Sequence, residues 1–320
     1  MKVVTHPHIS GLAILASQHP EWRWYAIADS AQDATLPDAI DGSGAAMRCL
    51  LGAPQGSPLA GESPHLVQLA PPDQGSLAWQ WIARWLGQPA PLKPSLTVVA
   101  STLSFDVMFA QLKQFTEIRL PDDYDMLFGF WDPAILGTLV GQLDDVTLHV
   151  KGPVLDRAQR ALLLGGLTGW WYWDRDGRQH TVDVGATPPV RLSEPLLLTQ
   201  TQVDQLVEAG VPDHVLYFVD LNQPNLLRDV PEASRYAYVK KTLAGARAIG
   251  LVSMHDLVNY VCMTLIYRER WNGDAQITAL MARVERGDIT FDDAIDLLPS
   301  STPTEPERCG ARWANVTRSK

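Results

Sequence analysis

The chain has 320 residues, 46% of them hydrophobic and 19% charged, with a formal net charge of -10. The apolar share supports a sizeable core and the length allows two domains, which excludes a chain that is mostly disordered. The acidic balance, with no long basic block, argues against a nucleic-acid backbone or an anionic membrane as the main partner.

Residues 1–21 form an N-terminal segment. Its apolar piece, Gly11 to Ala16, is too short and too poorly flanked for an export signal. No run reaches the roughly 18 apolar residues of a membrane span. Cys49, Cys262 and Cys309 are far apart and odd in number, so neither a disulfide framework nor a zinc knuckle is expected. These readings predict a cytoplasmic chain without membrane insertion.

"WRWYAIAD" (Trp22 to Asp29) reads as a strand that ends in an acid. "MRCLLG" and "PHLVQLA" read as further strands, separated by a loop rich in Pro, Gly and Ser. Leu77, Trp81, Ile82 and Trp85 fall at helical spacing, and Gly87 can end that helix. "LTVVAS" (Leu96 to Ser101) is a β-branched strand. In "SFDVMFAQLKQFTEIRL", Ser104 suits an N-cap, and Phe105, Met108, Phe109, Leu112 and Phe115 mark one apolar, core-facing stripe.

"DYDMLFGFWDP" then reads as a strand. Met126, Phe128 and Phe130 share one face and Leu127 and Trp131 the other, which predicts a central strand buried on both sides. "PAILGTLVGQL" reads as a helix and "VTLHV" as a short strand. "GWWYWDRDGRQHTVDV" reads as a hairpin through a two-residue Asp176–Gly177 turn. Trp170 and Trp171 must face opposite sides, so either both faces of the sheet are covered or one tryptophan meets a partner. Residues 22–184 thus form an α/β or α+β lobe with a mixed sheet flanked by helices. Residues 185–195 are a Pro-rich linker, 196–298 an all-helical lobe, and 299–320 a polar tail expected to be disordered.

Familiar catalytic signatures are absent: no GxSxG elbow, P-loop, GxGxxG after a strand, or HExxH. His6 and His8 have a spacing that can bind a metal, but such a terminal pair is more often a surface feature. Asp174 and Asp176 flank a turn, where aspartate is ordinary. Asp29 and Asp132 both end apolar strands and would make a site if those strands were neighbours. Helix capping explains Asp132 equally well, since Pro133 suits the first helical position. No catalytic, cofactor-binding or metal-binding residue is expected from this pattern.

Asp29 closes the early strand, and Pro64, Leu66 and Val67 spell Pro-x-Leu-Val. Arg119 and Leu120 form a basic-apolar step before Phe130, Trp131, Asp132 and Pro133, an aromatic-aromatic-Asp-Pro corner. In this order, over about residues 22–142, they resemble the DUF4123 family, the effector chaperones (adaptors) of type VI secretion. Gly129 departs from the family, which usually carries arginine shortly before that corner. The resemblance implies a bacterial, non-enzymatic protein that binds a toxin effector and helps load it onto a VgrG-type spike. Its C-terminal lobe would help choose the effector, and the nine motif residues would be structural or partner-facing. Two other readings stand beside it. One is a hydrolase or transferase using Asp29 and Asp132, or a metal at His6 and His8. The other is an immunity-like protein that binds and blocks a toxin.

Overall fold

The computed structural model describes residues 7–33, 35, 36, 39, 44–74 and 76–299. His6, Cys309 and the expected tail beyond Pro299 lie outside the described residues. The chain forms two compact units, Met1–Ala209 and Gly210–Lys320. No helix among the described residues is long and apolar enough to cross a membrane.

The first unit begins with α1 (Pro7–Gln18), β1 (Arg23–Asp29), β2 (Met47–Cys49), α2 (Pro58–Gly61) and β3 (Pro64–Leu69). It continues with α3 (Leu77–Leu86), β4 (Leu96–Ser101), α4 (Phe105–Lys113), β5 (Glu117–Arg119) and β6 (Asp125–Leu127). Then come α5 (Pro133–Val140), α6 (Arg157–Leu163), β7 (Leu167–Trp173), β8 (Gln179–Val182) and β9 (Leu196–Leu197). Six strands form one sheet in the order β2-β3-β1-β4-β7-β8, and every neighbouring pair is antiparallel. A second, small sheet runs β6-β5-β9.

Both faces of the large sheet are covered. Along β1, Tyr25 and Ile27 enter the core that includes α4, α5 and α6. Trp24, Ala26 and Ala28 enter the opposite core with α1 and α3. Along β7, Trp170 and Tyr172 join the first core, and Trp171 and Trp173 the second. This is period-two alternation with apolar residues on both sides, so each strand reads as a continuous apolar run. Trp171 stacks on Trp24 with centroids 5.3 Å apart, and Trp85 meets Trp173 edge-on at 6.0 Å. Neither Trp170 nor Trp171 is left for a partner.

Four expectations need correction. The buried tryptophan in the first turn of α3 is Trp79, whose Nε1 donates to the Ala70 carbonyl at 2.7 Å, while Leu77 is exposed. "VTLHV" is irregular rather than a strand. "MLFGFW" is not a central strand: β6 stops at Leu127 and all three of its residues are exposed. Only Phe128, Phe130 and Trp131 are buried there, because the backbone turns inward after β6 and delivers the aromatic rings to the core.

The fourth correction is one of register. The β7–β8 hairpin turns through Asp174 to Arg178, not through two residues. The Asp174 carboxylate accepts from Asp176 N at 3.0 Å and Arg178 N at 2.9 Å, and Gly177 takes a φ of 79. This longer loop shifts the pairing by one residue, so His180 faces Tyr172. A one-residue shift moves every side chain to the other face.

Residues 185–195 run along the first unit. Gln114 donates from Nε2 to the Val190 carbonyl at 2.8 Å, and its Oε1 accepts from Leu192 N at 2.9 Å. The two units divide further on, inside α7 (Gln200–Asn222). The second unit is helical: α8 (Glu232–Ala248), α9 (Met254–Tyr267), α10 (Arg270–Gly273), α11 (Ala275–Glu285) and α12 (Phe291–Asp296). Its core gathers Val215, Val219, Val239, Leu243, Val261 and Ile277. From Leu257 to Leu265 every residue of α9 is buried, so that stretch of the helix is enclosed on all sides.

Gly169 tests the packing of the second core. It sits on β7 two residues before Trp171, and a Cβ there would run into the Trp171 ring. Gly169→Ala is expected to cost about 1–3 kcal/mol through overpacking. Urea unfolding should show a lower midpoint with an unchanged slope; an unchanged midpoint would mean that the ring moves freely.

Candidate functional site

The scattered motif residues meet at one corner of the first unit. Asp29 ends β1 and pairs directly with Pro64, the first residue of β3. From there, Leu66 and Val67 point to opposite cores and are almost fully buried. The turn after β6 brings in the third piece: Trp131 Nε1 donates to Asp29 Oδ2 at 2.9 Å, in a buried site. Asp29 Oδ1 accepts from Ala31 N at 3.0 Å. Phe130 is fully buried, edge-on to Trp131 at 5.1 Å and to Trp170 at 6.1 Å.

Asp132 is the N-cap of α5, and its Oδ1 accepts from Ala134 N at 2.8 Å. Pro133 occupies the first helical turn, where its missing N–H costs nothing. Both aspartates therefore spend carboxylate oxygens on N–H groups that the fold presents. Trp131 differs from several of its buried counterparts. Trp24, Trp85, Trp170 and Trp173 leave Nε1 without a partner among the described residues, whereas Trp131 has a charged acceptor. Gly129, at the departure from the family pattern, has open space where a side chain would begin.

Arg119 lies elsewhere, on β5 of the small sheet. Its guanidinium reaches Asp125 at 2.9 Å, Glu194 at 3.2 Å and Asp123 at 3.6 Å. The hydrogen bond and charge of Asp125 hold the Arg119 pKa up, and Arg119 holds the Asp125 carboxyl below its usual range. These groups are exposed, so the ion pairs add little stability.

A second polar cluster, missed from sequence, forms around the β7–β8 hairpin. His180 is buried; its Nε2 lies 3.0 Å from Asp174 Oδ2 and its Nδ1 3.1 Å from Asp144 Oδ2. The Tyr172 ring stacks on it at 5.1 Å, and the Tyr172 hydroxyl donates to Asp145 Oδ2 at 2.9 Å. Asp145 Oδ1 accepts from Thr147 N and Oγ1. Asp145, Asp174 and His180 bring donor atoms within 4.8 Å of one another and are the buried set that could hold a metal. Each of those atoms already has a protein hydrogen bond, which is how a buried polar network is normally satisfied. His255, Asp256 and Asp292 form a more exposed set in the second unit. His8, of the proposed terminal pair, falls in α1.

The signal for this cluster was the His180–Tyr172 pairing. A two-residue turn would set His180 against Trp173 instead, so the true register was needed to find it.

The fold is that of an α/β unit with an antiparallel sheet flanked by helices, followed along the chain by a helical region. Residues 24–149 match the family described as "Domain of unknown function (DUF4123)". The match runs from β1 past α5 and stops short of the β7–β8 hairpin that completes the sheet. No curated protein and no solved structure matches the chain.

Two measurements test these networks. Trp131→Phe keeps an aromatic ring, smaller than the indole, and removes the donor, which leaves Asp29 Oδ2 buried without it; a loss of about 1.5–3 kcal/mol is expected in chemical denaturation. In a cycle with Asp29→Ala, the two losses should not add, and simple additivity would mean that the bond contributes nothing. The second measurement is a pH series. Burial pushes the His180 imidazole down, but the hydrogen bonds and charges of Asp174, Asp145 and Asp144 outweigh it, so its pKa lies above the usual 6.5. A pKa raised in the folded state stabilises the fold fully below about pH 6.5 and fades as pH rises through the folded-state value. His180→Gln should flatten the decline in melting temperature as pH rises above about 6.5. An identical decline in the variant would assign it to other groups.

Proposed function

We infer that this chain is an adaptor that binds a type VI secretion toxin effector in the cytoplasm and helps load it onto a VgrG-type spike, with no catalysis of its own. The observation that carries this reading is the DUF4123 domain at residues 24–149. The geometry is compatible with it. Asp29, Pro64, Trp131, Asp132 and Pro133 build a packed corner rather than a reactive cleft. A carrier needs a stable frame and accessible contact surface, not carboxylates poised for proton transfer.

The hydrolase or transferase alternative draws no support from this corner, since Asp29 and Asp132 each accept local backbone N–H groups. The immunity-like alternative differs in outcome, not in site. It predicts a toxin whose activity is blocked by the chain, whereas an adaptor delivers an active toxin.

The chain should co-purify with a toxin encoded beside it, and its deletion should abolish export of that toxin while leaving export of unrelated effectors intact. Normal secretion of the toxin by the deletion strain would sink the adaptor reading.

A further inference from the structure

The small sheet ends in an open edge. Its order is β6-β5-β9, and no strand among the described residues pairs with the far side of β6. The register says which backbone groups are left over. Phe128 N bonds to Thr116 O and Leu120 N to Tyr124 O, both at 2.8 Å, and Ile118 faces Met126 between them. Hydrogen-bonded pairs alternate along an antiparallel ladder. Met126 therefore turns its N–H and C=O toward β5, while Asp125 and Leu127 turn theirs outward.

The two faces of this edge differ in chemistry. Tyr124 and Met126 share the face of Ile118, which belongs to the core, yet they are 70% and 45% exposed. Leu127, 54% exposed, shares the other face with Asp125, Glu117 and Arg119. Beside it opens a groove of about 880 Å³, lined by Val107, Gln114, Glu117, Leu127 and Glu194, with Lys113 and Arg191 as its cations. Asp122 and Asp123 stand exposed at the head of the edge. Arg119 is already engaged by Asp123, Asp125 and Glu194, so the acids around the edge outnumber the bases. Native sheets usually cover, shorten or charge such an edge, because unpaired N–H and C=O groups template another strand. This one is short and partly acidic, but its apolar side chains lie open.

We propose that the outer edge of β6 docks an extended segment of a partner protein in which apolar and basic residues alternate. The segment adds as a fourth strand to the small sheet, with main-chain bonds to Asp125 and Leu127. Its apolar side chains extend the core face over Tyr124 and Met126. Its basic side chains fall on the opposite face, beside Asp125, Glu117 and Glu194. This deepens the adaptor reading and rests on it for the identity of the partner as an effector; the edge itself is tested without any effector.

The probe is a short fluorescein-labelled peptide of alternating valine and lysine, read by fluorescence anisotropy on the full chain, with a valine–glutamate peptide as control. Two variants disarm the edge. Leu127→Pro removes an outward N–H that makes no bond to β5, and Met126→Lys charges the apolar face with the backbone intact. The valine–lysine peptide should bind, with affinity that falls as salt rises, and each variant should weaken it roughly tenfold. No binding by the unmodified chain, equal binding of the valine–glutamate peptide, or equal binding by Met126→Lys would overturn the proposal. So would dimerisation of the chain through this edge. A toxin pulled down equally by the unmodified chain and by Met126→Lys sinks the edge and leaves the adaptor reading standing. A toxin that neither captures sinks the adaptor reading, and the peptide still decides the edge.

Discussion

Trp131 donates to Asp29 across 2.9 Å of buried space, and these residues come from a strand end and a turn 102 positions apart. A carboxylate or an indole N–H buried without a partner costs free energy. Each meets the other's requirement. The bond also fixes where the turn after β6 must lie, which seats Phe130 against Trp170 and starts α5 at Asp132. Because Pro64 pairs with Asp29 in the sheet, the same point anchors β3. Asp29, Pro64 and the Phe130–Pro133 corner thus form one structural joint written in three distant pieces.

The second constraint is a sheet covered on both faces. Once helices pack on each side, strand residues are mostly apolar, and a charged one needs an internal partner. The β7–β8 hairpin shows both outcomes. Its tryptophans fill the two cores, and its histidine is held in a cage of Asp174, Asp144 and Tyr172. Gly169 is part of the same economy of space, since the Trp171 ring occupies the volume of its missing side chain.

These constraints separate the rigid frame from the surface left for partners. The large sheet offers neither face. The small sheet does the opposite, exposing Tyr124, Met126 and Leu127 beside a groove lined by both acids and bases. Asp29, Trp131 and Phe130 are therefore interior, while the exposed apolar side chains lie at a margin of the same unit.

Much of the frame was legible in the chain itself. Apolar runs, helical spacing and turn residues located β1, β3, β4, α3 to α5 and the helical region, because those patterns answer to local geometry and burial. Asp132 and Pro133 declared a helix start for the same reason. What failed was whatever depends on distant packing. "MLFGFW" has the pattern of a buried strand, yet only packing decides that the chain leaves the sheet after Leu127 and spends its aromatics in the core. The Asp174 loop set the hairpin register through side-chain bonds that a dipeptide signal does not contain. The sequence by itself determined which segments could be strands or helices, since propensity and periodicity are local properties. Only the tertiary structure decided that Asp29 would meet Trp131 and that β6 would keep an open edge, because partners and edges are relations between segments that the chain brings together on folding.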